Sequence, residues 1–436
     1  MNWGSDMTHS KPKLYLGSIL LGVLSILPLG LFTVKGWASA ILFIGAAVSF
    51  VLILSNQGKK TLNRKQDIWV VLIAVMFALP LMGVMLSSAL RAEWNWASFD
   101  SFSRFLLAIP IFYIVYRNDI RVVNKWQLLM PVALIFTLLS AFFLPGYYGD
   151  ANPFDNPRLT TFFVDPLTLG YLSLTLGVLS FFSINMCSRD QWQVVLLKIL
   201  GGLIGFYISF KTQSRTGWLA IPCILLLLFY VRGPKNKILS SLAAIAVSIV
   251  MATGIYLSSS NVQNRMHQAA VDLSTYKFNG LNPETSIGER ISFARMGLYY
   301  FRLSPIYGWG LKGFQVHAND PELVEFASES TRASPARGSL FHSEITTNAV
   351  AHGIFGLVAI VLLFLLPVML CMRQWRRGVN PRLCAFGLAY LLCVIISSLS
   401  TEIFSLKFAA SFHAVFLACL CAQLLAEEPI STNVVG

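Results

Sequence analysis

The stretch ITTNAVAHGIFGLVAIVLLFLLPVMLC, residues 345–371, contains no Asp, Glu, Lys or Arg. It is longer than the ~20 apolar residues that an α-helix needs to cross the ~30 Å hydrocarbon core of a bilayer. In lipid, every backbone N–H and C=O must be paired internally, and long unbroken apolar runs select helices over the short alternating strands of a barrel. This stretch therefore predicts a transmembrane helix.

Similar apolar runs recur along nearly the whole chain. The 436 residues are 56% hydrophobic and 12% charged, which is about half of the ~25% charge typical of soluble domains. The mean hydropathy is +0.65. We expect an all-α polytopic membrane protein of about a dozen spans. The predicted spans lie near residues 15–33, 37–55, 68–90, 102–116, 127–145, 164–187, 194–210, 217–231, 238–257, 345–371, 383–400 and 409–427.

The basic residues give the orientation. The net charge of +13 comes largely from short clusters between spans, at 59–65, 117–125, 232–237 and 373–382. These clusters alternate with loops that hold few basic residues, so they are expected on the cytoplasmic side together with both termini. This distribution is typical of loops that set topology, and we expect no nucleic-acid partner. The expected location is the bacterial inner membrane.

Three regions follow from this topology. Residues 1–257 hold spans one to nine, residues 258–344 form a large periplasmic loop, and residues 345–436 hold the last three spans and a cytoplasmic tail. A polar loop of this length is expected to have structure of its own. Ser-Ile-Gly-Glu at 286–289 matches a capping box and predicts a helix at 287–303 on the membrane interface. A second helix is predicted at 321–330.

Two periplasmic arginines occupy unusual positions. In Ser214-Arg215-Thr216-Gly217, Ser214 can cap the following span, which leaves Arg215 beside free N–H groups where an anion would bind. Arg290 falls in the first turn of the predicted loop helix, where a cation is unfavourable unless it serves an anionic ligand. The alternatives are a flank anchor for Arg215 and an ordinary surface pair of Arg290 with Glu289.

His342 lies where the loop returns to the membrane, two residues before Glu344. A histidine there can act as a base near neutral pH, although it can equally be a polar interface residue. Arg158 and Asp165 lie in a proline-containing loop before a span, and both are candidates for substrate binding together with Ser214 and Arg265. The predicted periplasmic loops hold no cluster of carboxylates or histidines typical of a metal site, so we expect neither a metal nor another cofactor.

From about residue 100 to residue 400 the chain resembles the O-antigen ligase (WaaL) family, within the wider O-antigen ligase/polymerase superfamily. The matching pieces are Ser214–Gly217 before a span, Arg290 in the loop, SPIYGWGLKGF at 304–314, FHSE at 341–344 followed by AHGIFGL at 351–357, and the segment from Arg158 through Asp165 to Gly170.

The resemblance implies a GT-C-type fold and a glycosyltransferase that works in the periplasm. The donor would be a glycan on undecaprenyl pyrophosphate and the acceptor a sugar of lipid A–core, among the membrane lipids. Arg215 and Arg290 match the family's essential arginines, which would hold the pyrophosphate. His342 matches its essential histidine, which would deprotonate the acceptor hydroxyl in an inverting attack. Gly308 and Gly310 would let the loop backbone approach lipid or sugar.

Two other classes of function stay open. O-antigen polymerases and protein O-oligosaccharyltransferases use the same type of donor, although the continuation of His342-Ser-Glu into a span favours a ligase. A transporter or flippase would place ionisable groups near the bilayer midplane. Here the unusual charges cluster at one membrane face, with Arg104 and Lys198 near the ends of spans.

Overall fold

The computed structural model describes residues 11–55, 64–147, 149, 153–154, 158–232, 236–258, 260–282, 284–338 and 340–427. Its helices are α1 (Lys11–Ser25), α2 (Trp37–Leu54), α3 (Arg64–Arg91), α4 (Trp96–Arg117), α5 (Val123–Phe143), α6 (Pro166–Phe182), α7 (Trp192–Lys211), α8 (Arg215–Arg232), α9 (Lys237–Ser258), α10 (Ser260–Thr275), α11 (Ser286–Leu303), α12 (Pro321–Phe326), α13 (Glu329–Ala333), α14 (Glu344–Arg376), α15 (Pro381–Ser398) and α16 (Lys407–Ala426). The described ranges contain no β-strand, so the all-α prediction is confirmed.

The apolar helices agree with the predicted spans. Within the described ranges, nine helices are long and apolar enough to cross a membrane by length and composition. Three shorter apolar stretches, Leu16–Ser25, Pro166–Phe182 and Leu219–Val231, coincide with three more predicted spans. The chain is therefore a multi-pass membrane protein.

The first span is shorter than predicted. We expected a helix over 15–33, but α1 ends at Ser25 and the chain continues in turns to Gly36. Pro28 has no N–H to donate and disfavours helical backbone in the residue before it, which ends the helix despite the apolar composition. The indole N–H of Trp37 donates to the carbonyl of Ile26 at 3.1 Å and holds this turn against the start of α2.

Helix α16 lies at the centre of the bundle. Every residue from Ala409 to Ala426 is buried, and a helix that is buried on all sides must be surrounded by other helices. Its stacked ring contact with α5, Trp126 on Phe416 at 4.8 Å between centroids, joins two elements that are far apart in sequence.

Side-chain hydrogen bonds join elements at the end of the bundle that is expected to face the cytoplasm. The guanidinium of Arg382 donates to the carbonyl of Asn185, and Gln423 donates to Asn124 at 2.7 Å. These residues lie in or beside the loops expected at the cytoplasmic face. The large loop, with helices α10 to α13, connects the C-terminal end of α9 to the N-terminal end of α14. The positive-inside rule assigns these two helix ends to the periplasm.

Helix α14 is broken at Gly353. The φ of 61° and ψ of −146° at this residue fall in a region open essentially only to glycine. The break separates a first segment, which directly follows His342, from the long apolar segment at 354–376. It also frees backbone carbonyl and N–H groups, which in a bilayer must find partners within the protein.

The loop segment 305–310 supplies these partners. Two of its N–H groups donate to carbonyls of α14 before the break, at 2.9 and 2.8 Å, and the N–H of Ile354 donates to the carbonyl of Pro305 at 2.8 Å. Arg91, at the end of α3, donates to the carbonyl of Ala351 at 3.0 Å. The loop is therefore joined to the broken helix by its backbone.

Gly308 and Gly310 serve this contact. Both have positive φ, 66° and 69°, and a Cβ at Gly308 would lie 2.6 Å from backbone atoms of Ala351 and Gly353. At both glycines the loop backbone lies close to α14 of the same chain. The approach to lipid or sugar that the resemblance implied stays a prediction.

The large loop contains more helix than we predicted. Helix α10 was not foreseen, and the helix expected at 321–330 is two short helices, α12 and α13. The interruption comes at Ser328, whose hydroxyl accepts the N–H of Thr331 at 3.2 Å and starts a new helix.

The aromatic face of α11 is used mostly inside the protein. Phe293, Met296 and Tyr300 are buried in a second hydrophobic cluster with rings from elsewhere in the loop, whereas Leu298 and Leu303 remain exposed. The placement of α11 at the membrane interface stays a prediction, which now rests on these two exposed leucines.

Candidate active site

Three of the predicted site residues line one pocket. Its volume is about 180 Å³ and it is lined by Arg158, Leu167, Gln213, Ser286, Glu289, Arg290 and His342. The lining comes from four separate parts of the chain: the segment before α6 and its first turn, the α7–α8 turn, the first turn of α11, and the end of the large loop. The pocket is smaller than the ~300–1,000 Å³ typical of sites for whole small molecules, so its size suits a charged group.

Arg158 is anchored to the end of α7. Its Nε donates to the carbonyl of Thr212 at 3.0 Å, and the next N–H, of Leu159, donates to the carbonyl of Lys211 at 3.0 Å. Helix α6 packs closely on the same turn, because a Cβ at Gly170 would lie 2.5 Å from the hydroxyl oxygen of Thr212. These contacts bring the segment before α6 and the turn before α8 to one place.

Gln213 was not predicted as a site residue. It lies in the α7–α8 turn with a φ of 54°, in the left-handed region, and it lines the pocket. Non-glycine residues held in this region cost free energy and concentrate at functional sites. The signal available in the sequence was its place two residues before Arg215.

Helix α8 begins at Arg215, so this arginine occupies the helix start that the sequence predicted. The side chains of Arg215 and Arg265 lie outside what the structure describes, and their predicted roles stay predictions. Ser214 precedes α8 and is buried, with 3% of its surface exposed. Asp165 accepts the N–H groups of Leu167 and Thr168 at 2.9 and 3.1 Å as the cap of α6.

Neither Ser214 nor Asp165 lines the pocket. The carboxylate of Asp165 caps α6, and the backbone N–H of Ser214 donates to the hydroxyl of Thr212 at 3.3 Å. The substrate-binding roles predicted for these two residues stay predictions, and the geometry adds no support to them.

Helix α11 presents its first turn to the pocket. Its cap is Thr285, whose hydroxyl accepts the N–H of Gly288 at 3.2 Å, so the capping residue lies one position before the predicted Ser286. Ser286, Glu289 and Arg290 are spaced i, i+3 and i+4, and therefore share one face of the helix.

The charge of Arg290 opposes the positive end of α11, whereas Glu289 complements it. Burial raises the pKa of the Glu289 carboxyl, Glu284 raises it further, and Arg290 opposes the rise. Arg290 is half-buried and lines the same pocket as Ser286 at the start of α11, and a guanidinium together with a helix start favours an anion.

His342 completes the pocket at the start of α14. Its side chain is 32% exposed and its ring lies 5.4 Å from that of Phe293. Its φ of 49° is again left-handed. Burial lowers the pKa of the imidazole, and Arg290 lowers it further, so the ring is neutral at neutral pH and can accept a proton.

Glu402, which we did not predict, lies near the His342 ring. Its Oε2 is 4.0 Å from Nδ1, and its side chain is 11% exposed. Burial raises the pKa of the Glu402 carboxyl to about 6, and hydrogen bonds from Thr347 and from backbone N–H groups oppose the rise. The available signal was a single carboxylate between the predicted spans at 383–400 and 409–427.

Glu344, two residues after His342, has other partners. It is 2% exposed, and its oxygens accept the side-chain amide of Asn348 at 2.8 Å and the N–H of Phe404 at 3.0 Å. Glu344 therefore anchors the connection between α15 and α16.

Comparison with known proteins covers the same region. Residues 200–361 match the family model described as O-antigen ligase. An uncharacterized protein of Haemophilus influenzae is 23% identical over 62% of this chain and 65% of its own length. A protein of Escherichia coli named O-antigen ligase is 23% identical over 53% of this chain and 54% of its own length.

The match to the family model includes Arg215, Arg290 and His342, whereas Arg158 and Glu402 lie outside it. The matches span about half to two thirds of the length of the curated relatives. Together with the resemblance of the motifs, these matches make the chain similar to the O-antigen ligase family.

Proposed function

We propose that this protein is an inverting, metal-independent glycosyltransferase that moves O-antigen glycan from undecaprenyl pyrophosphate to lipid A–core during lipopolysaccharide biosynthesis. One observation carries the proposal: Arg158, Arg290 and His342 line the same pocket. Two guanidinium groups suit a pyrophosphate, and a neutral imidazole suits the removal of a hydroxyl proton. The family match supports the class of donor and acceptor.

The donor pyrophosphate would lie against the arginines. Each guanidinium offers a planar fork that bonds two phosphate oxygens at once. Arg215, at the start of α8, would add a third from the turn that holds Gln213. These positive charges would stabilise the transition state most, because the departing pyrophosphate gains negative charge as its bond to the anomeric carbon breaks.

The acceptor hydroxyl would lie between His342 and the anomeric carbon. Its oxygen attacks that carbon from the side opposite the pyrophosphate. The bond between the anomeric carbon and the pyrophosphate oxygen breaks, and its electron pair goes to the pyrophosphate. The hydroxyl proton moves to the imidazole. One displacement inverts the anomeric carbon, and it needs one base and a stabilised leaving group, which the pocket residues can supply.

The pocket would face the periplasm in a protein of the bacterial inner membrane with a GT-C-type bundle. This orientation rests on the basic loops at 59–65, 117–125, 232–237 and 373–382, which the positive-inside rule assigns to the cytoplasm.

The test is transfer by the purified protein, with the lipid-linked donor and lipid A–core supplied in detergent. His342→Gln should reduce transfer by about 10²–10⁴-fold while donor binding, measured separately, stays at the wild-type level. His317→Gln is the matched control, because His317 lies elsewhere in the loop and is paired with Asp320 at 2.9 Å. Donor affinity that collapses while bound donor still turns over normally would make His342 a binding residue.

The same assay separates the alternatives by acceptor. Transfer to a second lipid-linked glycan would indicate an O-antigen polymerase, and transfer to a protein would indicate an O-oligosaccharyltransferase. Movement of the lipid-linked glycan across vesicles without transfer would indicate a flippase and overturn the proposal.

A further inference from the structure

We propose that Glu402 is the positioning residue of His342: its carboxylate holds the Nδ1–H of the imidazole, so that Nε2 is the atom that accepts the proton from the substrate hydroxyl. This inference rests on the proposed function of the pocket. Glu402 itself would neither touch substrate nor take the proton.

The first support is the distance and the burial of the pair. Oε2 of Glu402 lies 4.0 Å from Nδ1 of His342, and the two side chains are 11% and 32% exposed. That distance is within reach of an ion pair and about 1 Å longer than a hydrogen bond. Catalytic hydrogen bonds are often long without substrate and shorten when it binds.

The second support is the way the Glu402 carboxylate is held. The hydroxyl of Thr347, in the first turn of α14, donates to Oε1 at 3.2 Å. The carboxylate is therefore joined through one oxygen to the helix that follows His342, and its other oxygen is the one nearest the ring.

The third support is the rigidity of the connection between α15 and α16 that carries Glu402. Glu344 accepts the N–H of Phe404 at 3.0 Å, and the hydroxyl of Ser101 on α4 donates to the carbonyl of Ser405 at 3.0 Å. Helices α14 and α4 thus fix the position of the connection that holds Glu402.

The chemical consequence concerns the tautomer. A neutral imidazole carries its proton on one nitrogen, and a carboxylate beside Nδ1 keeps the proton there. Nε2 is then the free acceptor. When Nε2 takes the hydroxyl proton, the imidazolium charge forms beside the ionised carboxylate of Glu402, which stabilises it.

Several charged groups act on this ring. Arg290 and Glu289 line the pocket with it from α11, and Arg158 lines the same pocket from the segment before α6. Arg290 disfavours the imidazolium. Glu402 opposes that effect, and Glu344, buried at the start of α14, lies two residues from His342 along the chain.

The test is Glu402→Gln, which keeps the shape and removes the charge. We expect kcat to fall by about 10–100-fold while donor binding is unchanged. The pKa of His342 should also fall by about 1 unit, because the opposite charge is lost. The control is Glu322→Gln, an exposed carboxylate on α12 of the large loop, which should change neither quantity.

The pKa of His342 can be measured without activity, from the pH dependence of its modification by diethyl pyrocarbonate, read by peptide mass spectrometry. A lowered pKa together with a lowered kcat supports the inference. An unchanged pKa overturns it, even if kcat falls, because Glu402 would then act only on structure. If the wild-type protein transfers no glycan but the pKa still shifts, the proposed function fails and the pairing of Glu402 with His342 stands.

Discussion

Replacing Gly353 with alanine should destabilise the protein and disable the pocket. The φ of 61° and ψ of −146° at this position are strained for any residue with a Cβ. A Cβ there would lie 2.3 Å from the carbonyl oxygen of Ile306, so the loop segment 305–310 must move away from α14. His342 lies at the start of the segment that this contact orients.

The magnitude follows from the contacts that are lost. Backbone strain of this kind costs about 1–3 kcal/mol. Each of the three backbone hydrogen bonds between segment 305–310 and α14 contributes about 0.5–1.5 kcal/mol. The total of about 3–7 kcal/mol is a large part of the 5–15 kcal/mol typical of a folded protein. The apparent melting temperature should fall by on the order of 5 °C.

Alanine substitutions at two other glycines separate the effect of backbone strain from the effect of the close Cβ contact. Gly378 has a φ of 72°, but a Cβ at this position would meet no atom within 4 Å, so Gly378→Ala carries only strain of about 1–2 kcal/mol. Gly22, exposed in α1, has neither strain nor a close neighbour, and Gly22→Ala should stabilise by about 0.5–1 kcal/mol. The assay is thermal unfolding in detergent, followed by glycan transfer. If Gly353→Ala were as stable and active as Gly378→Ala, the loop would not depend on the break in α14.

Three further results are expected. Arg215→Ala and Arg290→Ala should nearly abolish transfer, and the lysine variants should recover only part of it because lysine lacks the planar guanidinium fork. The control is Arg302→Ala, at an exposed residue near the end of α11. Full activity of both alanine variants would contradict the role in donor binding. Transfer should be unchanged in chelator, and a loss restored by Mg²⁺ or Mn²⁺ would disprove metal independence. In a variant without native cysteines, an impermeant thiol reagent should label Val316→Cys from the periplasm but not Asp119→Cys, and the reverse pattern would invert the topology.

Much of the fold could be predicted from composition and periodicity. Apolar length indicates which segments enter a bilayer, because each span must pair its own backbone. Arg290 could be predicted as a site residue because a cation at a helix start is unfavourable unless it binds an anion. His342 could be predicted from its position where the loop returns to the membrane. Exceptions such as the early end of α1 before Pro28 and the extra helix α10 reflect local backbone effects that a count of apolar residues overlooks.

The sequence by itself therefore determined the class of the protein, the positions of its spans and the side chains with unusual chemistry. Only the tertiary structure decided which of these side chains meet: Arg158, Arg290 and His342 in one pocket, Glu402 beside His342, and segment 305–310 paired with α14. The physical reason is that sequence periodicity shows which face of a helix is apolar, whereas side-chain packing determines which other helix or loop contacts that face. Close contacts at single glycines such as Gly170 and Gly353 set that packing, and their partners lie far away in the chain.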